Sequence, residues 1–316
     1  MTYDIYFHND FDGRASAAVM LAFLRSRGDD IARYVAVTYG DRNEKGWNRG
    51  SVLKGENEII VVDFQYHPKA AWWFDHHATG IKNKRWEKQF RPDKQHRLDP
   101  HYRSCAHLVY DSLKRDFGWK PPRHLAELAK WLDVIDGANY PSAKSAVEMR
   151  DPAFLMNAFI EVLPHTARED ARVVRLLAEK PISAIVRSSG IAGAIRKLKQ
   201  KRAESLRFYK HEVKLFGRIT FIDLTRDPLH GFLRFTPFYL YPKAVYGVRM
   251  RRKGAWWYLG VGVNPWRRSE NGHNLGALMR GYGGGGHGNV GAAEFRSKKD
   301  ALAALEEVKK ILNRRH

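Results

Sequence analysis

The chain is expected to be a two-domain α/β protein, and three observations predict it. Runs of Ile, Val, Tyr, Phe and Trp alternate with helical segments in the N-terminal half, as in a mostly parallel sheet flanked by helices. A length of 316 residues suits about two domains, at roughly 150 residues each. Ile191–Tyr209 is strongly basic with little Gly or Pro, which reads as a linker helix. The expected division is 1–188 for the larger domain, 189–211 for the linker and 212–316 for a smaller mixed α/β domain, with the active site in a cleft between them.

Tyr3–His8 reads as the first strand and Ala15–Arg27, rich in Ala, Leu and Met, as a helix, with Gly13 at the turn between them. Arg33–Tyr39, Glu58–Phe64 and Ala70–Asp75 are further strands, and Asp41–Gly55 is a loop. Ser104–Phe117, Arg123–Ile135, Ala153–Leu163 and Arg168–Leu177 are helical, the second with Leu125, Leu128, Leu132 and Ile135 at helical spacing. In the C-terminal domain, strands are expected at Arg218–Leu224, Ala244–Arg249 and Trp256–Val263, then a helix near Asn274–Met279. Ala292–Phe295 reads as an edge strand and Lys299–Leu312 as a closing amphipathic helix.

Ile81–Arg103 breaks the pattern, with eight Lys and Arg and with Trp86 and Phe90 interleaved. It is either a solvated, mobile loop or a basic lip whose aromatics stack on bases.

Lys plus Arg number 55 against 34 Asp plus Glu, giving +21 and a pI near 10.0. Such an excess favours polyanions, most simply nucleic acid. Cys105 is the one cysteine, which excludes an intramolecular disulfide and fits a reducing cytoplasm. No signal-like segment opens the chain, and no apolar run approaches the roughly 18 residues of a membrane span. A cytoplasmic protein without a membrane partner is therefore expected.

Three strand ends carry acid and histidine clusters: His8-Asn9-Asp10-Phe11-Asp12-Gly13, Val61-Val62-Asp63 and Phe74-Asp75-His76-His77. Ligands bind outside the carboxyl ends of strands in α/β sheets, so these clusters point at one crevice. Alternate residues of an extended chain face the same way, so His8, Asp10 and Asp12 present three donors on one side. Asp63 has two oxygens and can bridge two cations, with His76 and Asp136 completing the shell. Two cations roughly 3.5–4 Å apart stabilise the attacking and leaving oxygens of an in-line displacement at phosphorus. Asp136 has a rival in Asp133, but Asp136-Gly137 leaves the helix at a turn, a place suited to a ligand. His67 follows the third strand and can approach the site; His96, His101 and His107 are assigned to the basic loop or to helix packing. Imidazole and carboxylate donors without thiolate suit Mn²⁺, and less well Mg²⁺ or Zn²⁺.

His8-x-Asp10-x-Asp12-Gly13, Asp63, Asp75-His76-His77 and Asp136 resemble the four ordered motifs of the DHH phosphoesterase superfamily. Gly283-Gly284-Gly285-Gly286-His287 resembles the glycine-rich motif of the companion DHHA1 domain. The resemblance spans nearly the whole chain. It implies one metal on His8, Asp10 and Asp63 and another on Asp12, Asp63, His76 and Asp136, with manganese as the ion and Mg²⁺ as its substitute. It also implies that His77 faces the substrate phosphate as hydrogen-bond donor or general acid, with Asp75 orienting a neighbouring histidine.

Gly284, Gly285, Gly286 and His287 are expected to hold a substrate phosphate or nucleotide, since glycines let backbone N–H groups approach an anion. Arg14 and Arg251 are expected beside them as phosphate ligands. Arg249, Arg252, Arg267 and Arg268 are further candidates for clamping phosphate, while Trp256, Trp257 and Trp266 are either core or stacking platforms. Gly288-Asn289-Val290-Gly291 departs from the usual Lys- or Ala-rich continuation of the family's glycine motif.

The expected function is metal-dependent hydrolysis of short or single-stranded oligonucleotides to nucleoside 5′-monophosphates, because the spacing of the first motif resembles that of RecJ-type exonucleases. The alternatives are hydrolysis of a small phosphate compound (a cyclic dinucleotide, 3′-phosphoadenosine 5′-phosphate or polyphosphate) and a catalytically silent nucleic-acid-binding protein. The silent protein would have lost a metal acid, and none is missing. A homodimer is compatible with this reading.

Overall fold

The computed structural model describes residues 1–39, 46–225 and 234–314. It divides into two compact units, Met1–Asn139 with Asp151–Ile195, and Tyr140–Arg150 with Arg196–His316.

The first unit runs β1 (Thr2–His8), α1 (Phe11–Arg25), β2 (Asp30–Val37), β3 (Glu58–Val62), β4 (Ala70–Asp75), α2 (Lys84–Gln89), β5 (His96–Leu98), α3 (Cys105–Phe117) and α4 (Arg123–Ile135). After α5 (Ala143–Glu148), which groups with the second unit, come α6 (Pro152–Glu161), α7 (Ala167–Glu179), α8 (Ile182–Ile185) and the long α9 (Ser189–Glu212). The five strands pair in parallel in the order β2-β1-β3-β4-β5. Parallel sheets are covered on both faces, and the central strands obey: Ile5, Tyr6, Phe7, Val61, Val62, Trp73 and Phe74 have no exposed surface. Helix α1 packs between the sheet, α3 and α7. Its Ala15, Ala17 and Ala18 are fully buried, so small side chains let the backbones close up. The chain goes from β1 to β2 on one side and returns to β3 on the other, which puts the topological switch point at the carboxyl ends of β1 and β3. His8 and Asp63 stand there.

The second unit adds β6 (Lys214–Phe216), β7 (Ile219–Asp223), α10 (Thr236–Leu240), β8 (Tyr246–Lys253), β9 (Trp256–Val263), a 3₁₀ turn (Pro265–Glu270), α11 (Leu275–Arg280), β10 (Gly285–His287), β11 (Val290–Phe295) and α12 (Lys298–Asn313). Its sheet order is β10-β11-β9-β8-β7-β6, antiparallel except between β7 and β8. Val248, Met250, Leu259 and Val261 on one face form a core with Leu275 and Met279 of α11 and Leu305 and Val308 of α12. The alternate residues of β8, Gly247, Arg249 and Arg251, therefore lie on the opposite face.

Several expectations change. The basic segment after β4 is ordered: Asn83 caps α2 through the N–H groups of Arg85 and Trp86, and β5 pairs with β4. Trp86 and Phe90 turn inward. Trp86 meets the His67 ring at 4.9 Å, and Phe90 meets Tyr66 at 5.1 Å and Trp73 at 5.2 Å, so each half-buried ring packs against neighbouring aromatics. Strand β11 pairs on both sides, so the edge position falls to β10, which is built from the end of the glycine run. The expected loop Asp41–Gly55 lies partly outside the described residues; within it Trp47 is fully buried. Among the described residues no helix is long and apolar enough to cross a membrane.

Candidate metal centre

The three sequence clusters meet at the carboxyl ends of β1, β3 and β4. The first turns sharply after His8, because Asp10 caps α1 by accepting the Gly13 N–H at 2.9 Å. A Cβ on Gly13 would sit 2.0 Å from the His8 carbonyl oxygen, so only glycine fits. His8 Nδ1 lies 2.8 Å from Asp10 Oδ2 and 3.8 Å from Asp63 Oδ2. Burial pushes the Asp10 carboxyl up, but the His8 and Gly13 bonds, with Arg14 nearby, outweigh it and hold the group below the usual carboxylate range.

Asp12 is buried and aimed by the start of α3, accepting the Cys105 N–H at 2.6 Å and the Ala106 N–H at 3.0 Å. These are the unpaired donors of a helix N-terminus. Burial, followed by the charges of Asp136 and Asp10, still pushes the Asp12 carboxyl well above its ordinary range.

Asp63 is the central group. Its backbone takes the left-handed conformation, φ 56°, it is 1% exposed, and neither carboxylate oxygen has a hydrogen-bond partner. Burial and then the charges of Asp12, Asp10, Asp75 and Asp136 push its carboxyl far up. A buried carboxylate that lacks hydrogen-bond partners and is ringed by acids is unfavourable without a cation.

His76 donates Nδ1–H to the Tyr102 carbonyl at 3.2 Å. That leaves its buried Nε2 without a hydrogen-bond partner, 3.6 Å from Asp12 Oδ2, 3.6 Å from Asp63 Oδ1 and 3.4 Å from Asp136 Oδ2. Asp136 stands at the end of α4. Its carboxyl is raised by burial and by Asp10, against the pull of His76, His77 and His8. Asp133 turns elsewhere: it accepts from Ser104 Oγ at 2.8 Å and from His107 Nδ1 at 2.6 Å, tying α4 to the start of α3.

His77 Nδ1 lies 2.8 Å from Asp75 Oδ1, which also accepts the His77 backbone N–H. The Asp75 bond raises the His77 imidazole above its ordinary value, against the effect of burial. Asp75 is fully buried, and Gly80 is required beside it, since a Cβ there would lie 2.3 Å from Asp75 Oδ2.

Three donor sets each fall within 4.8 Å: His8, Asp10 and Asp63; Asp12, His76 and Asp136; and Asp63, His76 and His77. Hard oxygen and imidazole donors, with Asp63 oxygens and a His76 Nε2 that lack hydrogen-bond partners, fit hard divalent cations. Cys105 offers no thiolate; burial and then the neighbouring acids push its thiol well up.

Sequence reasoning missed Tyr39. Its ring lies 5.2 Å from that of His8 and 6.5 Å from that of His77, with Lys82 Nζ 5.0 Å over it. No local motif signals this, because the contact joins the end of β2 to a loop after β4. His67 is absent from the centre. It packs between Trp47 and Trp86 and accepts the Lys69 N–H, while burial and then Lys69 lower its imidazole to about 4.

Arg14 needs correction as a phosphate ligand. Its guanidinium is wholly buried, donates to the Asp10 carbonyl at 3.1 Å and pairs with Asp170 of α7, so it braces the loop that carries Asp10. Arg14→Met should lower unfolding stability by about 3–5 kcal/mol, because Asp170 is left charged and unpaired. Arg14→Met combined with Asp170→Leu should recover most of that loss in urea unfolding; no recovery would show that the pair is not the cause.

In the second unit, Gly284 and Gly286 are fixed by packing. A Cβ on either would come within 2.0 Å of the Ala292 or 2.2 Å of the Val290 carbonyl oxygen, respectively. Gly285 faces open space and His287 is exposed on the edge strand. Arg251 is half-buried on the face of β8 that also carries Arg249.

No family model matches this chain, and no curated protein matches it. Solved structures do. A pGpG-specific phosphodiesterase from Vibrio cholerae matches with TM-score 0.76 at 18% identity, over 98% of this chain and 99% of that one. The DHH domain of a member of a ribosomal-protein family matches with TM-score 0.60 at 14% identity, over 100% of this chain and 87% of that one. RecJ from Thermus thermophilus, in complex with Mn²⁺, matches with TM-score 0.54 at 14% identity, over 98% of this chain and 52% of RecJ. This chain thus spans about half the length of that RecJ. In fold, the chain is similar to all three of these solved structures.

Proposed function

We propose that the chain is a two-metal phosphodiesterase that hydrolyses short or single-stranded oligonucleotides to nucleoside 5′-monophosphates. The observation that carries this reading is Asp63, a buried carboxylate with neither oxygen hydrogen-bonded that falls in two of the donor sets and would be shared by two cations. His8, Asp10 and Asp63 would hold one cation, and Asp12, Asp63, His76 and Asp136 the other. Bound there, the cations would neutralise developing charge on the phosphate oxygens and make an attacking water more acidic.

The chain's own groups do the rest. Asp75 holds His77 Nδ1, so Nε2 is the ring nitrogen left to face substrate. An imidazole raised in pKa by that bond keeps its proton to higher pH and can deliver it to the leaving oxygen. The neighbours support phosphate ester chemistry: one carries pGpG in its name and another is RecJ with Mn²⁺ bound. A net charge of +21 suits a polyanionic substrate. Labelled dinucleotides, longer single strands and cyclic dinucleotides incubated with Mn²⁺ test the reading. Release of 5′-monophosphates from the linear substrates is expected, and turnover of the cyclic ones alone would overturn it.

Gly284, Gly285, Gly286, His287 and Arg251 are proposed to hold the substrate's nucleotide or phosphate. His287→Ala should lower kcat/KM for oligonucleotides by about 10- to 100-fold, the scale of one hydrogen bond to a charged group. Bis-p-nitrophenyl phosphate, which lacks the nucleotide, should be cleaved as before. Equal losses on both substrates would place His287 in the chemical step.

A further inference from the structure

The β8–β9 hairpin and the turn into α12 make a second basic surface. Residues 252–257 and 295–299 contain five cations and no acid. Among the described residues, none of these cations is in an ion pair. Three of them lie over indoles: Arg296 Cζ is 5.3 Å from the Trp256 ring, and Arg252 Cζ and Lys298 Nζ are 5.5 Å and 5.7 Å from the Trp257 ring. Cations over indole faces are attracted by the ring quadrupole and so keep their charge toward solvent in fixed positions. Trp257 packs against the core of the unit, whereas Trp256 is 38% exposed.

The surface is separate from the glycine segment. Trp257 pairs with Phe295, while Val290 pairs with both Gly262 and His287. Five steps of β11, about 17 Å at the strand rise, thus part the tryptophan end from His287.

We propose that this surface binds single-stranded nucleic acid, with Trp256 stacking on an unpaired base and Arg252, Arg296 and Lys298 contacting flanking phosphates. Stacking platforms beside fixed cations are what sequence-tolerant single-strand binding requires. A duplex hides its base faces and cannot use Trp256. A bilayer surface would need more apolar contact, and Trp256 is the one large apolar side chain exposed in these two segments. The surface would retain a strand too long to fit one active site, and it rests on the preceding reading only for the class of substrate.

The test is fluorescence anisotropy of a labelled oligothymidylate of about twelve nucleotides, within the span typical of single-strand sites, with full-length protein in EDTA. Trp256→Ala should weaken binding about tenfold or more. Arg296→Gln should reduce the slope of log affinity against log salt by about 0.7, one phosphate contact's worth. With Mn²⁺ restored, both variants should cleave bis-p-nitrophenyl phosphate at the wild-type rate. Because binding is read without metal, failure of the hydrolytic reading leaves this result standing. Wild-type affinity in both variants would overturn the proposal. So would loss of binding to duplex DNA or to anionic vesicles with single-strand binding intact, or an equal loss of diester cleavage.

Discussion

Asp63→Asn is expected to abolish hydrolysis and yet to raise the melting temperature of the metal-free protein. Loss of an outer partner of a metal ligand already costs about 10–100-fold in metal affinity, so loss of the shared ligand should exceed about 100-fold. The stability gain follows from the site's electrostatics. Asp63 is buried without a hydrogen-bond partner and ringed by Asp12, Asp10, Asp75 and Asp136, which raises its folded-state pKa. A carboxyl raised on folding holds its proton more tightly in the folded state, so it favours folding at low pH and loses that advantage as pH rises. At neutral pH in EDTA the charge opposes folding, and asparagine removes it. Asparagine also tolerates the left-handed backbone at this position, which alanine would strain. The expected rise is a few degrees, at about 2–4 °C per kcal/mol, shrinking toward pH 4. Manganese should reverse the order, stabilising wild type by about 2.7 kcal/mol at a hundred times its dissociation constant and leaving the variant unmoved. A variant that melts lower in EDTA would show that Asp63 is not under this strain.

The two adjacent histidines should separate cleanly. His76→Ala removes a buried Nε2 that faces three carboxylates, so bound metal and turnover should fall together. His77→Ala should lower kcat by about 10²–10⁴-fold, the range for a general acid, while bound manganese stays near the wild-type amount. His77 also falls in a donor set with Asp63 and His76, which makes this the discriminating variant. Equal metal loss in both would make His77 a ligand and move proton delivery to another group.

The donor clusters were legible in the sequence because each is short and sits where an apolar strand run stops. Pleat and turn place such residues at one sheet edge without help from distant contacts. Asp136 could be preferred to Asp133 for a local reason, the turn at Gly137, and Asp133 indeed points to Ser104 and His107. What long-range packing decides was not legible. Arg14 follows the first motif directly and looks like a phosphate ligand until α7 brings Asp170 against it. Trp86 and Phe90 lie among lysines and arginines, yet Tyr66, His67 and Trp73 draw them inward. Tyr39 gained its place beside His8 and His77 only through the order of the strands. In the second unit, the end of the glycine run forms strand β10, where the missing Cβ of Gly286 lets the strand close on β11.

The most direct test of the two-metal reading is a titration of metal-free protein with Mn²⁺, following bound ions per chain and turnover of a 5′-phosphorylated dinucleotide in the same samples. Two ions should bind per chain, with turnover appearing as the second site fills and nucleoside 5′-monophosphate as product. Full turnover with a single ion bound, or two bound ions with no turnover of any diester, would contradict it.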